Sequence, residues 1–286
     1  MLVALEKKSR LVGNTDMEVA AMSRAIAIRH VDSDGLHLVY LDQGEGPAVV
    51  MIPSAGRGAE DFDDLAARVA QAGFRVLRPQ PRGIGGSRGM MEGLTLRDLA
   101  GDVVQVLNHG GVEPAVILGH AFGNRVARAV ASYYPQKVSR ILLLAAGGRI
   151  AMAPDVARDF RAAFDDSIAS EARFAAMARA FFAPGNDAAP WRDGWFAATA
   201  AMQEAANRAT AIFEWWLAGT APVHIVQARQ DLIAPAANGE LLCRDLGTRA
   251  KLVSIDQAGH AMLPEQPDAI ARLVVGILAT AREQTL

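Results

Sequence analysis

Apolar and polar positions along this chain follow two alternating rhythms. Residues 25–31 and 36–42 flank the turn Asp32-Ser33-Asp34-Gly35, which predicts a β-hairpin. Gly44-Glu45-Gly46-Pro47 breaks the chain, and Ala48-Val49-Val50-Met51-Ile52 follows as an unbroken apolar run. Such a run suits a strand covered on both faces, as in a parallel sheet. Helical spacing over residues 60–72 gives way to a short strand at Phe74-Arg75-Val76-Leu77, then to helical spacing over 95–109. Ala115-Val116-Ile117-Leu118, a helix over 122–134 and Ile141-Leu142-Leu143-Leu144 repeat the cycle.

The alternation stops near Gly147-Gly148. Residues 154–217 hold no strand candidate, only Ala-, Phe- and Trp-rich stretches with helical spacing, punctuated by Pro184-Gly185 and Pro190. It resumes with Val223-His224-Ile225-Val226, a helix at 239–246, the strand Leu252-Val253-Ser254-Ile255 and a last helix at 267–282. Strands alternating with helices predict an α/β fold, a mostly parallel central sheet flanked by helices. Its two parts, 25–149 and 219–286, are separated by an inserted helical cap at 150–218. Residues 1–24 are weakly patterned and read as an extension outside the core fold, with room for one helix.

Composition narrows the classes. Of the 286 residues 51% are apolar and 21% charged, so a packed core is within reach and wholesale disorder is excluded. A net charge of −2 leaves no electrostatic footprint for nucleic acid or an anionic membrane. The single cysteine, Cys243, excludes an intramolecular disulfide and a cysteine-based zinc cluster. No apolar run reaches the ~18 residues of a membrane span. The start, MLVALEKKSR, places charge where a secretory signal needs apolar residues, so a cytoplasmic location is expected. His30, His37, His109 and His224 have no metal-ligand spacing, and no motif asks for a cofactor.

The chemistry concentrates in Val116-Ile117-Leu118-Gly119-His120-Ala121-Phe122-Gly123-Asn124-Arg125. Gly119 and Gly123 bracket a turn between a buried strand and a helix, where a sharp reversal needs backbone room. In this strand-turn-helix context the stretch resembles the nucleophile elbow G-x-S-x-G of the α/β-hydrolase superfamily, with alanine at the apex. Two later loops extend the resemblance in the order the family requires. Asp231, after the strand at 223–226 and four residues before Pro235, is similar to the acid of the triad. His260, in Ala258-Gly259-His260 after the strand at 252–255, is similar to the catalytic base. Taken alone, Asp231 would also serve as a turn or cap residue and His260 as an ordinary loop histidine. His120 reads as a packing and hydrogen-bonding residue.

The resemblance covers roughly residues 25–283 and implies a capped serine-hydrolase plan. An oxyanion hole needs two backbone N–H groups, and the family's geometry points to those of Phe122 and Ala55. Pro53-Ser54 stands where the family usually has His-Gly; a backbone donor requires neither side chain, and Ser54 could add a hydroxyl. Arg57 could meet an anionic substrate or be a solvated loop arginine. Pro79-Gln80-Pro81-Arg82-Gly83-Ile84-Gly85-Gly86-Ser87 resembles the family's D-x-R-G-x-G-x-S loop, with Gln80 in place of Asp and a structural role.

Alanine has no oxygen or sulfur and cannot attack a carbonyl. The acid and base would be idle in a pure binder, so Ala121 reads as a replaced nucleophile, with serine as the parent expected, then cysteine, then aspartate. The implied reaction is hydrolysis of an ester, lactone or related carbonyl, or of a carbon–carbon bond; the other reading is a naturally non-catalytic ligand-binding relative. Eleven of the 17 aromatic residues, among them Trp191, Trp195, Trp215 and Trp216, fall in residues 154–217. Most should be core of the insertion, yet some should face the cleft, with Met262 beside them, and favour a partly apolar small-molecule substrate.

Overall fold

The computed structural model describes residues 25–283, so the reading of residues 1–24 lies outside it. Eight strands form one sheet: β1 (Ile26–Ser33), β2 (Leu36–Gln43), β3 (Ala48–Ile52), β4 (Arg75–Pro79), β5 (Ala115–His120), β6 (Val138–Leu144), β7 (Val223–Ala228) and β8 (Ala250–Ile255). Their spatial order is β1-β2-β4-β3-β5-β6-β7-β8. The hairpin β1–β2 and the β2–β4 pair are antiparallel, and every pairing from β4 to β8 is parallel.

The unbroken apolar runs became the central strands because both faces are covered. Along β3, Val49 and Met51 join the layer under α1 (Asp63–Gln71) and the C-terminal helix Pro267–Glu283, through Leu65, Val69, Ile270 and Val274. Val50 and Ile52 join the opposite layer, with Leu99 and Val103 of α2 (Leu96–Gly110) and Val126 and Val130 of α3 (Phe122–Tyr133). Several boundaries differ from the pattern by about two residues, and two of the differences are instructive. The sixth strand starts at Val138, because the exposed Ser139 and the half-buried Arg140 hide its first turns from an apolar count. The helix expected over 60–72 opens instead as a 3₁₀ turn, Ala59–Phe62, before α1.

Helix α2 shows how local sequence fixes an end. Thr95 caps it by accepting from the Asp98 N–H while the Asp98 carboxylate accepts from the Thr95 N–H, a reciprocal capping box. Ala in place of Thr95 is expected to cost about 1 kcal/mol, read as a fall of roughly 2 °C in melting temperature for a chain of this size.

Between β6 and β7 run α4 (Pro154–Ala162), α5 (Ser170–Phe181) and α6 (Ala197–Arg208), with 3₁₀ turns at Ala189–Trp191 and Ile212–Glu214. This segment is not a body apart. Met202, Ala206, Trp215 and Trp216 pack into the same cluster as β3, β5 and α3. Met177, Phe181, Phe182 and Trp191 form a second cluster around Ala261 of the loop that follows β8.

Candidate active site

The chain reverses at Ala121, between β5 and α3, with φ 51° and ψ −110°. A non-glycine residue there stores about 1–3 kcal/mol of strain, which surrounding contacts must offset. Ala121 N–H donates to the Leu144 carbonyl at 2.9 Å, and Asn124 Nδ2 donates to the Ala145 carbonyl at 2.9 Å. The flanking glycines are demanded by backbone. A Cβ on Gly119 would lie 2.4 Å from the Gly123 carbonyl carbon, and one on Gly123 would lie 2.1 Å from the Ile52 oxygen.

Asp231 and His260 stand on the loops after β7 and β8, held together by Arg229 N–H on the Ile255 carbonyl and Gln230 N–H on the Ala258 carbonyl. The His260 Nδ1–H donates to the Asp231 carboxylate at 2.9 and 3.1 Å, and both side chains are buried. Asp231 Oδ1 also accepts from the Ile233 N–H at 2.9 Å and the Ala234 N–H at 2.7 Å. The buried carboxylate thereby accepts from three N–H groups, two of them backbone. Gly259 precedes the histidine because a Cβ there would sit 2.7 Å from the Phe181 carbonyl of the insertion. Its N–H donates to Glu265, which also takes the Ala183 N–H; burial pushes that carboxyl's pKa up.

His120 connects the elbow to this loop. Its Nε2–H donates to the His260 carbonyl at 2.8 Å, and the two rings lie 5.6 Å apart. Full burial, reinforced by the neighbouring His260, lowers its pKa to about 3. An unfolded chain protonates this imidazole near its ordinary ~6.5, so between those values the unfolded state binds more protons and stability rises with pH. His120→Gln, which keeps an N–H donor, is expected to flatten that rise in urea midpoints measured from pH 4 to 6.5 (about the window the shift defines).

The loop after β3 is sewn to the insertion. Gly56 N–H donates to Gln203 Oε1 at 2.8 Å, and its carbonyl accepts from the Phe196 N–H at 2.9 Å. Arg57 corrects the sequence reading: it is neither a solvated loop residue nor free to greet an anion. It is buried, ion-paired with Asp61 at 2.6 Å, bonded through Nη1 to the Asp193 carbonyl at 2.6 Å, and flanked by Trp191 and Trp195. Ser54 is buried, Ala55 is half-buried, and neither the Ala55 nor the Phe122 N–H has a hydrogen-bond partner among the described residues.

The aromatics of the insertion divide into two groups. Trp191 stacks edge-on at 5.9 Å from His120, and Phe181 lies 5.7 Å from His260, with Trp195 behind them. Trp191 also lines a cleft of about 390 Å³ bounded by Glu60, Leu65, Leu263 and Ile270. Trp215 and Trp216 do not join this group; they pack on Arg128 of α3, and Trp216 Nε1–H donates to Asp245. Met262 is fully enclosed in the sheet core among Leu142, Leu144 and Val226, so it lines no cleft. Gln203, Glu265, Asn124 and Asp61 escaped the sequence reading; a lone polar residue in an alanine-rich helix carries no motif. Gln80 holds its loop as expected, accepting from the Ala59 N–H at 3.0 Å.

The Alpha/beta hydrolase family matches residues 49–273. This chain belongs to it. The α/β hydrolase resembles a bifunctional epoxide hydrolase 2 of Sus scrofa, 32% identical over 112 residues, which is 38% of this chain and 20% of that one. A bifunctional esterase/perhydrolase of Acinetobacter calcoaceticus is 33% identical over 116 residues, 40% of this chain and 42% of that one. The chain thus spans between a fifth and about two fifths of these relatives' lengths. Among solved structures, a thermophilic esterase from Thermogutta terrifontis superposes with a TM-score of 0.73 at 20% identity, covering 90% of this α/β hydrolase and 99% of that chain. The fold is therefore the α/β-hydrolase fold. No helix of the described residues is long and apolar enough to cross a membrane.

Proposed function

We propose that this α/β hydrolase is built to cleave an ester, lactone or related carbonyl compound on a Ser-His-Asp plan, with alanine at the nucleophile station. The observation that supports this is the buried Asp231–His260 pair, whose carboxylate has no exposed side-chain surface, beside an elbow strained at Ala121. Burying such a pair is expensive, and a strained apex serves to raise a side chain above the sheet. Neither has a use in a protein that only binds.

With serine at 121, His260 would take the hydroxyl proton as Oγ attacks the carbonyl. Asp231 would hold the imidazole in the Nδ1–H form and stabilise the imidazolium. The Ala55 and Phe122 N–H groups would meet the developing oxyanion, and water would then release the acyl group through the same histidine. With alanine, the binding surfaces and the base remain while the covalent route is missing. The insertion serves as a cap: Trp191, Trp195 and Phe181 roof the two histidines with apolar surface, which favours a partly apolar substrate. Cleavage of a carbon–carbon bond beside a carbonyl would use the same groups.

A second reading, a naturally non-catalytic ligand-binding protein, is favoured by Ala121 itself. Assay of Ala121→Ser with p-nitrophenyl butyrate separates the two. Hydrolysis supports the first, and a folded but silent variant rules for the second.

A further inference from the structure

Arg125 and Arg128 lie on the first two turns of α3, and among the described residues neither forms an ion pair. Arg128 is fully buried and makes only neutral contacts: Nε to the Asn124 carbonyl at 3.2 Å, and Nη2 to Asn124 Oδ1 and the Gly147 carbonyl, both at 2.7 Å. Its Nη1 has no acceptor, and neither has the buried Nε1–H of Trp215, whose ring centre is 4.5 Å from the guanidinium carbon. Arg125, 5.8 Å from the same ring, is half-buried with no hydrogen bond among the described residues. Asp245, beside Trp216, already serves Arg149 and the Trp216 indole.

Burial lowers the pKa of both arginines, and in Arg128 the Arg125 charge adds to the effect. A guanidinium nevertheless stays charged in a protein. The fold therefore maintains two cations without an ion pair, one of them in the field of Glu204, and two buried N–H donors without an acceptor, a costly arrangement unless an anion completes it.

We propose that Arg125, with Trp215 Nε1–H and Arg128 Nη1 behind it, forms a subsite for a carboxylate carried by the substrate. This deepens the hydrolase reading and rests on it. Helical side chains lean toward the N-terminus, and Arg125 follows Ala121 by four residues, one turn or about 6 Å along the same face. Gly147 lies between Arg125 and Ala234. A Cβ there would lie 3.5 Å from the Ala234 Cβ and 3.9 Å from Arg125 Nη2, and Ala234 is the residue whose N–H binds Asp231. The guanidinium thus stands across a bare α-carbon from the acid loop. A planar carboxylate matches an arginine fork. Glu204, which acts on Arg125 with a negative charge, leaves room for a single negative charge better than for a phosphate dianion. A carbonyl held about one helical turn from a carboxylate describes a half-ester of a short dicarboxylic acid.

Calorimetric titration of the chain as it stands, which needs no turnover, tests this with monoethyl succinate and diethyl succinate. The half-ester is expected to bind at least about tenfold tighter. In Arg125→Gln that preference should vanish while diester binding is unchanged, and the variant should melt no lower, since a repulsion with Arg128 is removed. Equal affinities in the parent chain, a preference that survives Arg125→Gln, or no binding of the half-ester up to about 10 mM would overturn the subsite. A silent Ala121→Ser sinks the hydrolase reading and leaves these affinities as they are, so the two failures can be told apart.

Discussion

Ala121→Ser should convert this chain from a binder into an enzyme, raising the rate on p-nitrophenyl butyrate by at least about a thousandfold. Deleting the nucleophile of a serine hydrolase costs about 10⁶ in kcat, while a residual 10³–10⁴ over water survives from the oxyanion hole and binding. The reverse change should recover much of that difference, because the machinery around position 121 is assembled. The backbone already has the strained φ of 51°, and His260 is already oriented by Asp231 at 2.9 Å. Adding His260→Gln or Asp231→Asn to Ala121→Ser should abolish most of the gain. A gain that survives both would mean that serine works there without the pair.

The largest effect on stability is expected at Gly123. Alanine there would drive a Cβ to 2.1 Å from the Ile52 oxygen and 2.6 Å from the Pro53 oxygen, both backbone atoms. Neither can yield without moving β3 or α3, so the cost should reach about 3–5 kcal/mol, the upper range for single substitutions. For a chain of this size that is a fall of roughly 6–10 °C in melting temperature. Gly276 provides the contrast, because it is exposed, sits within the C-terminal helix and has nothing within 4 Å of an added Cβ. Gly276→Ala should raise stability by about 0.5–1 kcal/mol through helix propensity and a less free unfolded chain. Paired thermal melts would show whether the clash, rather than the loss of glycine, decides the outcome.

Strands buried on both faces were legible in the sequence because burial leaves them no polar position: β3 and β5 read as plain apolar runs. Asp231 and His260 could be singled out because the family resemblance orders the loops that carry them, and the structure brings the two side chains together at 2.9 Å. What stayed hidden depends on distance along the chain. Arg57 looks like any loop arginine until Asp61 at i+4 and the Asp193 carbonyl, 136 residues away, close on it. Trp215 and Trp216 looked equivalent to Trp191, yet the turn at Ile212–Glu214 sends them to α3. Met262 comes two residues after His260, but the short helix that it opens carries it into the sheet core.

The stitching of the loop after β3 carries a mechanical consequence. Gly56 binds the insertion through both its N–H and its carbonyl, and Arg57 binds it a third time through Asp193. Ala55, whose N–H is the proposed oxyanion donor, is the residue immediately before. Lifting the insertion from the sheet would have to break these bonds or draw the loop, and this donor, with it. Under the proposed mechanism, unroofing the site and displacing its oxyanion donor would be one motion, coupling closure to catalytic readiness.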